Sequence, residues 1–391
     1  MKIIVQKYGG TSVNSYDLRE KIIENLQKNL DKQYQCVIVV SAMGRNGDPY
    51  ATDTLLKCIS SSFYNSREMD MLISCGEIIS SVVVACQLKK QGFKAIPLNG
   101  GQAGIITDNQ YGYANIIDIQ SQILIDLLKA NKIPVIAGFQ GYNAHGEITT
   151  LGRGGSDVSA VQLGIALHAE RIEIFTDVDG IMTADPKIVS NAKRIEKIPY
   201  DDVFQLAEYG AKVIHPRAVE IAMKHNMPLL IYNTQKYDEN SGTLIHSDQY
   251  GQEHLVAAVA HEHDQIQCRL EHYHSVPNIF EEIANHQISI DMINIFQEYC
   301  LFIIKKYNKT KMTSILEKHK IDYSLTENCT KVTVIGSSIR GVPGVMAKII
   351  GAIDESTNIL QTSDSHSTIS ILVFSAFADN VINRIHQTFQ L

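Results

Sequence analysis

Residues 3–12 read Ile3-Ile4-Val5-Gln6-Lys7-Tyr8-Gly9-Gly10-Thr11-Ser12. A β-branched run closed by a lysine and two glycines reads as a buried strand entering a tight turn. Residues 16–30 follow with helical spacing, through Leu18, Ile22, Ile23, Leu26 and Leu30. Outward from this unit the pattern repeats. Val37-Ile38-Val39-Val40, Pro134-Val135-Ile136-Ala137 and Ile172-Glu173-Ile174-Phe175 read as further strands, and residues 69–90 and 156–168 as helices. Continuously apolar strands alternating with helices predict an α/β fold, a mainly parallel central sheet flanked by helices.

Composition shifts after residue 235, where Lys236-Tyr237-Asp238-Glu239-Asn240-Ser241-Gly242 is polar and turn-rich. Beyond it a pattern occurs twice. Val276-Pro277-Asn278 opens a helix ending near Asn285, followed by a strand at Ile288-Ser289-Ile290. Val342-Pro343-Gly344 opens another ending near Ser356, followed by Asn358-Ile359-Leu360. Two tandem α+β units are expected. The chain thus divides into residues 1–240, 255–328 and 329–391, with residues 255–268 able to interleave into the last unit.

The 391 residues carry 35 basic and 42 acidic side chains, a formal net charge of -7. That disfavours a nucleic-acid partner, which needs a basic face. Seven scattered cysteines form no C-x-x-C pair, so neither a disulfide framework nor a zinc site is expected. No run of about 20 apolar residues stands out, so no membrane span is expected, and a cytoplasmic location follows.

The chemistry gathers at strand ends. At Lys7-Tyr8-Gly9-Gly10 the backbone can approach an anion closely, since Gly9 and Gly10 lack Cβ, and Lys7 adds charge. A phosphate cradle and a plain tight turn both fit. No P-loop pattern G-x-x-x-x-G-K-[ST] occurs. Thr149-Thr150-Leu151-Gly152-Arg153-Gly154-Gly155-Ser156-Asp157 is a second nest, in which Arg153 can grip a carboxylate through two hydrogen bonds. Ser156 or Asp157 could equally be a helix cap. Glu77 of Ser74-Cys75-Gly76-Glu77 sits in an apolar helical stretch, either facing solvent or buried and paired. Ser41, in Val40-Ser41-Ala42-Met43-Gly44, ends another strand. Asp177-Val178-Asp179-Gly180 lacks the glutamate of a calcium loop, so no metal site is assigned. In Gly210-Ala211-Lys212-Val213-Ile214-His215-Pro216-Arg217, His215 starts a helix and Lys212 is the stronger functional candidate.

In this order the motifs resemble the aspartate kinases of the amino-acid kinase family. The matching stretches are K-Y-G-G-T-S, V-S-A-M-G, S-C-G-E, T-L-G-R-G-G-S-D, F-T-D-V-D-G followed by A-D-P, and G-A-K-V-I-H-P-R-A. The likeness spans essentially the whole chain, including a C-terminal pair of ferredoxin-like ACT units. Residues 42–56 and 361–369 resemble the lysine-branch, single-function enzymes of Gram-positive bacteria.

This resemblance implies ATP-dependent phosphorylation of L-aspartate to 4-phospho-L-aspartate, with Mg2+, at the head of the pathway to lysine and diaminopimelate, threonine and methionine. It implies that Lys7 and Lys212 neutralise the ATP phosphates, with Asp157 either orienting the lysines or completing the substrate pocket. Gly9, Gly10, Thr176, Asp177, Asp179, Asp185 and Lys187 would hold the nucleotide, although Lys187 stands where an arginine is common. Arg153 would bind the aspartate α-carboxylate and Glu77 its ammonium, with Ser41, Thr52 and Ser156 completing the pocket. The ACT units imply at least a homodimer and feedback by an allosteric amino acid, lysine or meso-diaminopimelate, around His274, Ser275, Val276, Asn278 and Asn294. A glutamate or acetylglutamate kinase shares the fold but not the S-C-G-E and G-A-K-V-x-x-P-R-A set. A non-catalytic sensor would not need Lys7, Glu77, Arg153, Asp157 and Lys212 together.

Overall fold

The computed structural model describes residues 1–211, 213–238, 240–247, 255–336, 339 and 342–391. It resolves into two compact units. The first gathers Met1–Ile181, Arg194–Ala207 and Lys212–Gln249; the second gathers Met182–Lys193, Glu208–Ala211 and Tyr250–Leu391.

The first unit is built on an eight-stranded sheet. In chain order its strands are β1 (Ile3–Tyr8), β2 (Gln35–Val40), β3 (Ala95–Leu98), β4 (Ile133–Ala137), β5 (Arg171–Thr176), β6 (Lys197–Pro199), β7 (Leu229–Asn233) and β8 (Thr243–His246). Across the sheet they run β6-β8-β7-β5-β1-β2-β4-β3. The six from β7 to β3 pair in parallel, and β8 runs antiparallel to β7. The chain leaves β1 in one direction for β2 and later enters β5 on the other side. This reversal of strand order is where open α/β sheets take ligands, outside the carboxyl ends of their strands. The register sets those ends level: Tyr8 lies opposite Val40 and Phe175, and Thr176 opposite Asn233.

The helices α1 (Tyr16–Asp31), α3 (Cys75–Lys90) and α4 (Gly155–Ala166) pack on the sheet, while α2 (Arg67–Ile73) packs on α3 and on the strand Ile148–Thr150. Ile22 and Leu26 of α1 and Val84, Ala85 and Leu88 of α3 pack with Tyr8, Ile38, Val40 and Phe175 in one fully buried cluster. Burying each large side chain contributes about 1.5–3 kcal/mol. The single helix expected over 69–90 is interrupted at Ser74, which ends α2 and caps α3. By length and composition the run Arg67–Lys90 could cross a membrane. Its apolar face packs on the sheet and it buries Asp70 and Glu77, which makes it a core element.

The second unit holds a six-stranded antiparallel sheet. Its strands are β9 (Ala258–Glu271), β10 (Asp291–Ile295), β11 (Tyr299–Lys305), β12 (Tyr323–Ile335), β13 (Gln361–Asp364) and β14 (Thr368–Phe374), in the order β10-β11-β9-β12-β14-β13. β9 is shared between two halves. Ala258–Glu262 pair with the later part of β12, which itself pairs with β14. Gln265–Glu271 pair with β11. The strands expected at 288–290 and 358–360 begin later, at Asp291 and Gln361, because Ile288 and Ile359 pack into hydrophobic clusters instead of joining the ladder. Ala184 and Val189 share a core with Val259, Ile371 and Ile382, and the Val259 N–H donates to the Thr183 carbonyl at 2.8 Å. Lys331 Nζ lies 4.1 Å from the centroid of the Tyr209 ring.

Candidate active site

At the carboxyl ends of β1 and β2 the first unit encloses a cavity of about 470 Å³. Eight of the sequence candidates line it together: Lys7, Gly10, Ser41, Thr52, Glu77, Arg153, Ser156 and Asp157. They arrive from five separate chain segments, so the fold alone brings them together.

Lys7 leaves the end of β1 beside Asp157 in the first turn of α4, with Nζ 2.7 Å from Oδ1. The other oxygen of Asp157 accepts the His215 N–H at 3.2 Å. Asp157 therefore fixes where the ammonium group points. Gly10 must be glycine, since a Cβ there would stand 2.5 Å from the Ala42 carbonyl oxygen and 2.7 Å from that of Gly44. Gly9 caps the short helix that follows.

Arg153 is exposed and forms no ion pair with another described residue. It stands between Gly152 (φ 74°) and Gly154 (φ 71°), left-handed positions that side-chain-bearing residues resist. A Cβ on Gly154 would meet the His215 ring at 2.1 Å. His215 caps the helix α5 (Pro216–Lys224), its Nδ1 accepting the Arg217 N–H.

Glu77 is 3% exposed. Its Oε1 accepts the Ala42 N–H at 3.0 Å, while Oε2 is buried without a hydrogen-bond partner. Burial pushes its carboxyl up to about 8, against the Ala42 N–H, its own N–H and the charge of Lys7. A half-satisfied buried carboxylate in a cavity wall is costly, and a cationic guest would relieve it.

The remaining candidates lie elsewhere. Thr176 ends β5, and Asp177 and Asp179 lie in the turn after it, outside the cavity wall. Asp177 forms an ion pair with Arg45, which does line the cavity. Asp179 accepts from Asn233 Nδ2 at 2.6 Å and Lys236 Nζ at 2.9 Å, contacts that hold its carboxyl below the usual range. Asp185 and Lys187 belong to the second unit, where Asp185 Oδ1 accepts the Lys187 N–H in a local turn. Lys212 lies outside the described residues. His274 and Ser275 sit in a short 3₁₀ turn, with His274 Nε2 3.1 Å from the Gln297 carbonyl. Val276 follows that turn, Asn278 opens α6 (Ile279–Asn285), and Asn294 Oδ1 accepts from Gln361 Nε2 at 2.7 Å.

Arg45, Asp70 and Arg217 carry site contacts that the sequence did not single out. Arg217 stood inside a noted motif, and Asp70 in an apolar helical run shows its burial as the only signal.

Residues 2–233 match the model of the amino acid kinase family, and residues 324–387 match an ACT domain. Aspartokinase 1 of Bacillus subtilis (strain 168) is 43% identical over 405 residues, covering 100% of both chains. An aspartokinase of Helicobacter pylori (strain J99 / ATCC 700824) is 36% identical, covering 100% of this chain and 99% of its own. Among solved structures, aspartokinase III of E. coli with aspartate and ADP superposes with a TM-score of 0.80 at 24% identity, covering 100% of both chains, a likeness of fold.

Proposed function

The chain belongs to the aspartokinases of the amino acid kinase family, and from that membership we propose that the cavity at the ends of β1 and β2 is where aspartate meets the γ-phosphate of ATP. The observation that carries this reading is the sharing of one wall by Lys7, Arg153 and the half-satisfied Glu77. Arg153 takes the α-carboxylate through its planar fork, and Glu77 Oε2 takes the ammonium. Ser41, Thr52 and Ser156 complete the contacts around the substrate.

The side-chain carboxylate of aspartate is ionised at neutral pH and needs no general base. Its oxygen bonds to the γ-phosphorus, the bond from that phosphorus to the bridging oxygen breaks, and ADP leaves. The product is an acyl phosphate. The barrier is one of bringing two anions together, so positioning and fixed positive charge do the catalysis. Lys7, held by Asp157, supplies charge at the transferring phosphoryl group, with Lys212 as its partner. Gly10 offers its backbone N–H, whereas the Gly9 N–H is already given to the Phe175 carbonyl at 3.2 Å and Gly9 serves to open the turn. Thr176, Asp177 and Asp179 are proposed to hold the nucleotide's other end. Asp185 and Lys187 are proposed as more distant nucleotide contacts. Among the described residues no cluster of three or more His, Cys, Asp or Glu forms a metal cage. Mg2+ is therefore proposed to arrive on the ATP phosphates, where it would screen their charge.

Arg153→Ala is expected to raise KM for aspartate about 100-fold, with KM for ATP within threefold. Steady-state kinetics with hydroxylamine trapping of the acyl phosphate measures both. A change in ATP affinity alone would show that the substrate reading of Arg153 is wrong.

The ACT match supports regulation by an amino acid. We propose lysine or meso-diaminopimelate as the effector, in a cytoplasmic homodimer or larger homo-oligomer feeding the lysine branch, with His274, Ser275, Val276, Asn278 and Asn294 around the ligand. Coupling requires the effector to bind two states unequally. Titrating the kinase with lysine, threonine and diaminopimelate is expected to give inhibition by one of the first and third. No response to any of the three would remove the proposal.

A further inference from the structure

We infer that Asp70 and Arg217 are positioning residues for this reaction: a paired clamp that aims Arg153 at the amino acid, an inference resting on Arg153 holding the α-carboxylate. Asp70 is fully buried on α2. Its two oxygens accept the Gly112 N–H, each at 3.0 Å, the Thr150 N–H at 2.7 Å and the Thr150 hydroxyl at 2.7 Å. Burial pushes its carboxyl up, and these donors oppose that shift. Arg217 works further along the same two segments, one residue on from Thr150 and two to three on from Gly112. Its Nη1 donates to the Leu151 carbonyl at 2.9 Å, and its Nη2 to the Ala114 carbonyl at 3.2 Å and Asn115 Oδ1 at 2.9 Å. Between these anchors the Ala114 N–H donates to the Thr150 carbonyl at 2.9 Å.

The geometry gives the clamp its purpose. Leu151 is the last residue before Gly152-Arg153-Gly154, and both glycines are left-handed. Such a turn has no side chains of its own to fix the direction of Arg153, so its two ends must be held. The downstream end is α4, where Asp157 accepts the His215 N–H and the His215 ring fills the space beside Gly154. The upstream end is the stretch from Thr150 to Leu151, held by Asp70 and Arg217. Arg217 uses a planar fork to bridge two carbonyls and an amide, a task a lysine cannot copy. Residues 112 and 113 are held by the same clamp and line the same cavity. Loosening it would displace the guanidinium by a fraction of an ångström to an ångström, enough to weaken a two-point carboxylate grip.

The test is a double-mutant cycle on the full-length chain, followed by steady-state kinetics and thermal melting. Arg217→Met is expected to raise KM for aspartate about tenfold, leaving kcat within threefold and KM for ATP within twofold. Arg217→Lys should not rescue it. In an Arg153→Ala background, Arg217→Met should add nothing to the aspartate KM, because the group it positions is gone. Asp70→Asn should behave in the same way, and since Arg217 is the partly exposed member, its variant serves if Asp70→Asn fails to fold. The clamp is overturned if Arg217→Met raises the aspartate KM by the same factor with and without Arg153. It is equally overturned if Arg217→Met lowers only the Tm. If Arg153→Ala itself leaves the aspartate KM unchanged, the substrate reading is defeated first and the clamp falls with it.

Discussion

Lys7→Met is expected to lower kcat about a thousandfold while the chain remains folded, the scale seen when one fixed charge stabiliser of a transition state is removed. The nucleophile and the γ-phosphate are both anionic, and Lys7 is the cation that the end of β1 delivers to the cavity. Its Nζ lies 2.7 Å from Asp157 Oδ1, and both side chains are nearly covered. Removing the lysine leaves the Asp157 carboxylate without this cation and, among the described residues, with the His215 N–H as a donor, so some loss of stability should accompany the loss of rate. The two effects separate in the pair variant. Lys7→Met with Asp157→Asn should recover most of the melting temperature and none of the activity. Circular dichroism melts beside a coupled ADP assay measure both. If the pair variant regained turnover, Lys7 would serve only to neutralise Asp157, and its proposed role at the phosphate would be lost.

Glu77→Gln should raise KM for aspartate about 100-fold and make the chain more stable at alkaline pH. Both effects come from one carboxylate. A glutamine side chain is isosteric and can still accept the Ala42 N–H, so the change removes charge with little change of shape. A buried charge partner of a substrate ammonium is worth about 2–5 kcal/mol when truncated. The stability effect has a definite sign. Burial raises the folded-state carboxyl from 4.5 to about 8, so the folded chain binds a proton that the unfolded chain releases. The contribution of Glu77 is most favourable below about pH 4.5 and is lost as pH rises to about 8. Glu77→Gln should therefore melt close to wild type near pH 5 and above it near pH 8. Substrate binding needs the ionised form, so the wild-type KM for aspartate should fall as pH rises toward 8, and the variant should lose that dependence. A glutamine variant with unchanged KM would mean that Oε2 faces no substrate cation. A site that is strained when empty and relieved when filled is a common trade of stability for function.

The parts of this fold that could be read from sequence are those decided over short distances. Ile3–Val5, Val37–Val40 and Ile172–Phe175 announce buried strands because burial on both faces removes alternation. Lys7, Gly10 and Arg153 were visible because a cationic side chain beside glycines at a strand end or helix start is the local pattern of an anion nest. Other features depend on partners far along the chain. Asp70 takes its hydrogen bonds from Gly112 and Thr150, and Arg217 gives its own to Ala114, Asn115 and Leu151. Neither spacing follows a helical or strand period. Residues 182–193 group with the second unit because Ala184 and Val189 find their core among β9, β12 and β14, and in 208–211 the Tyr209 ring lies beside Lys331 of β12, neither of which a local pattern announces. Ser74 interrupts a run whose apolar periodicity continues on both sides, so the sequence shows one helix where the backbone forms two.

The most direct measurement is a crystal structure of the chain with aspartate, ADP and Mg2+. Density for the amino acid should lie in the β1–β2 cavity, its α-carboxylate about 3 Å from the Arg153 guanidinium and its ammonium at Glu77 Oε2. The side-chain carboxylate should point toward Lys7 and the diphosphate. Aspartate bound away from Arg153 and Glu77, or a diphosphate remote from Lys7, would contradict the site described above.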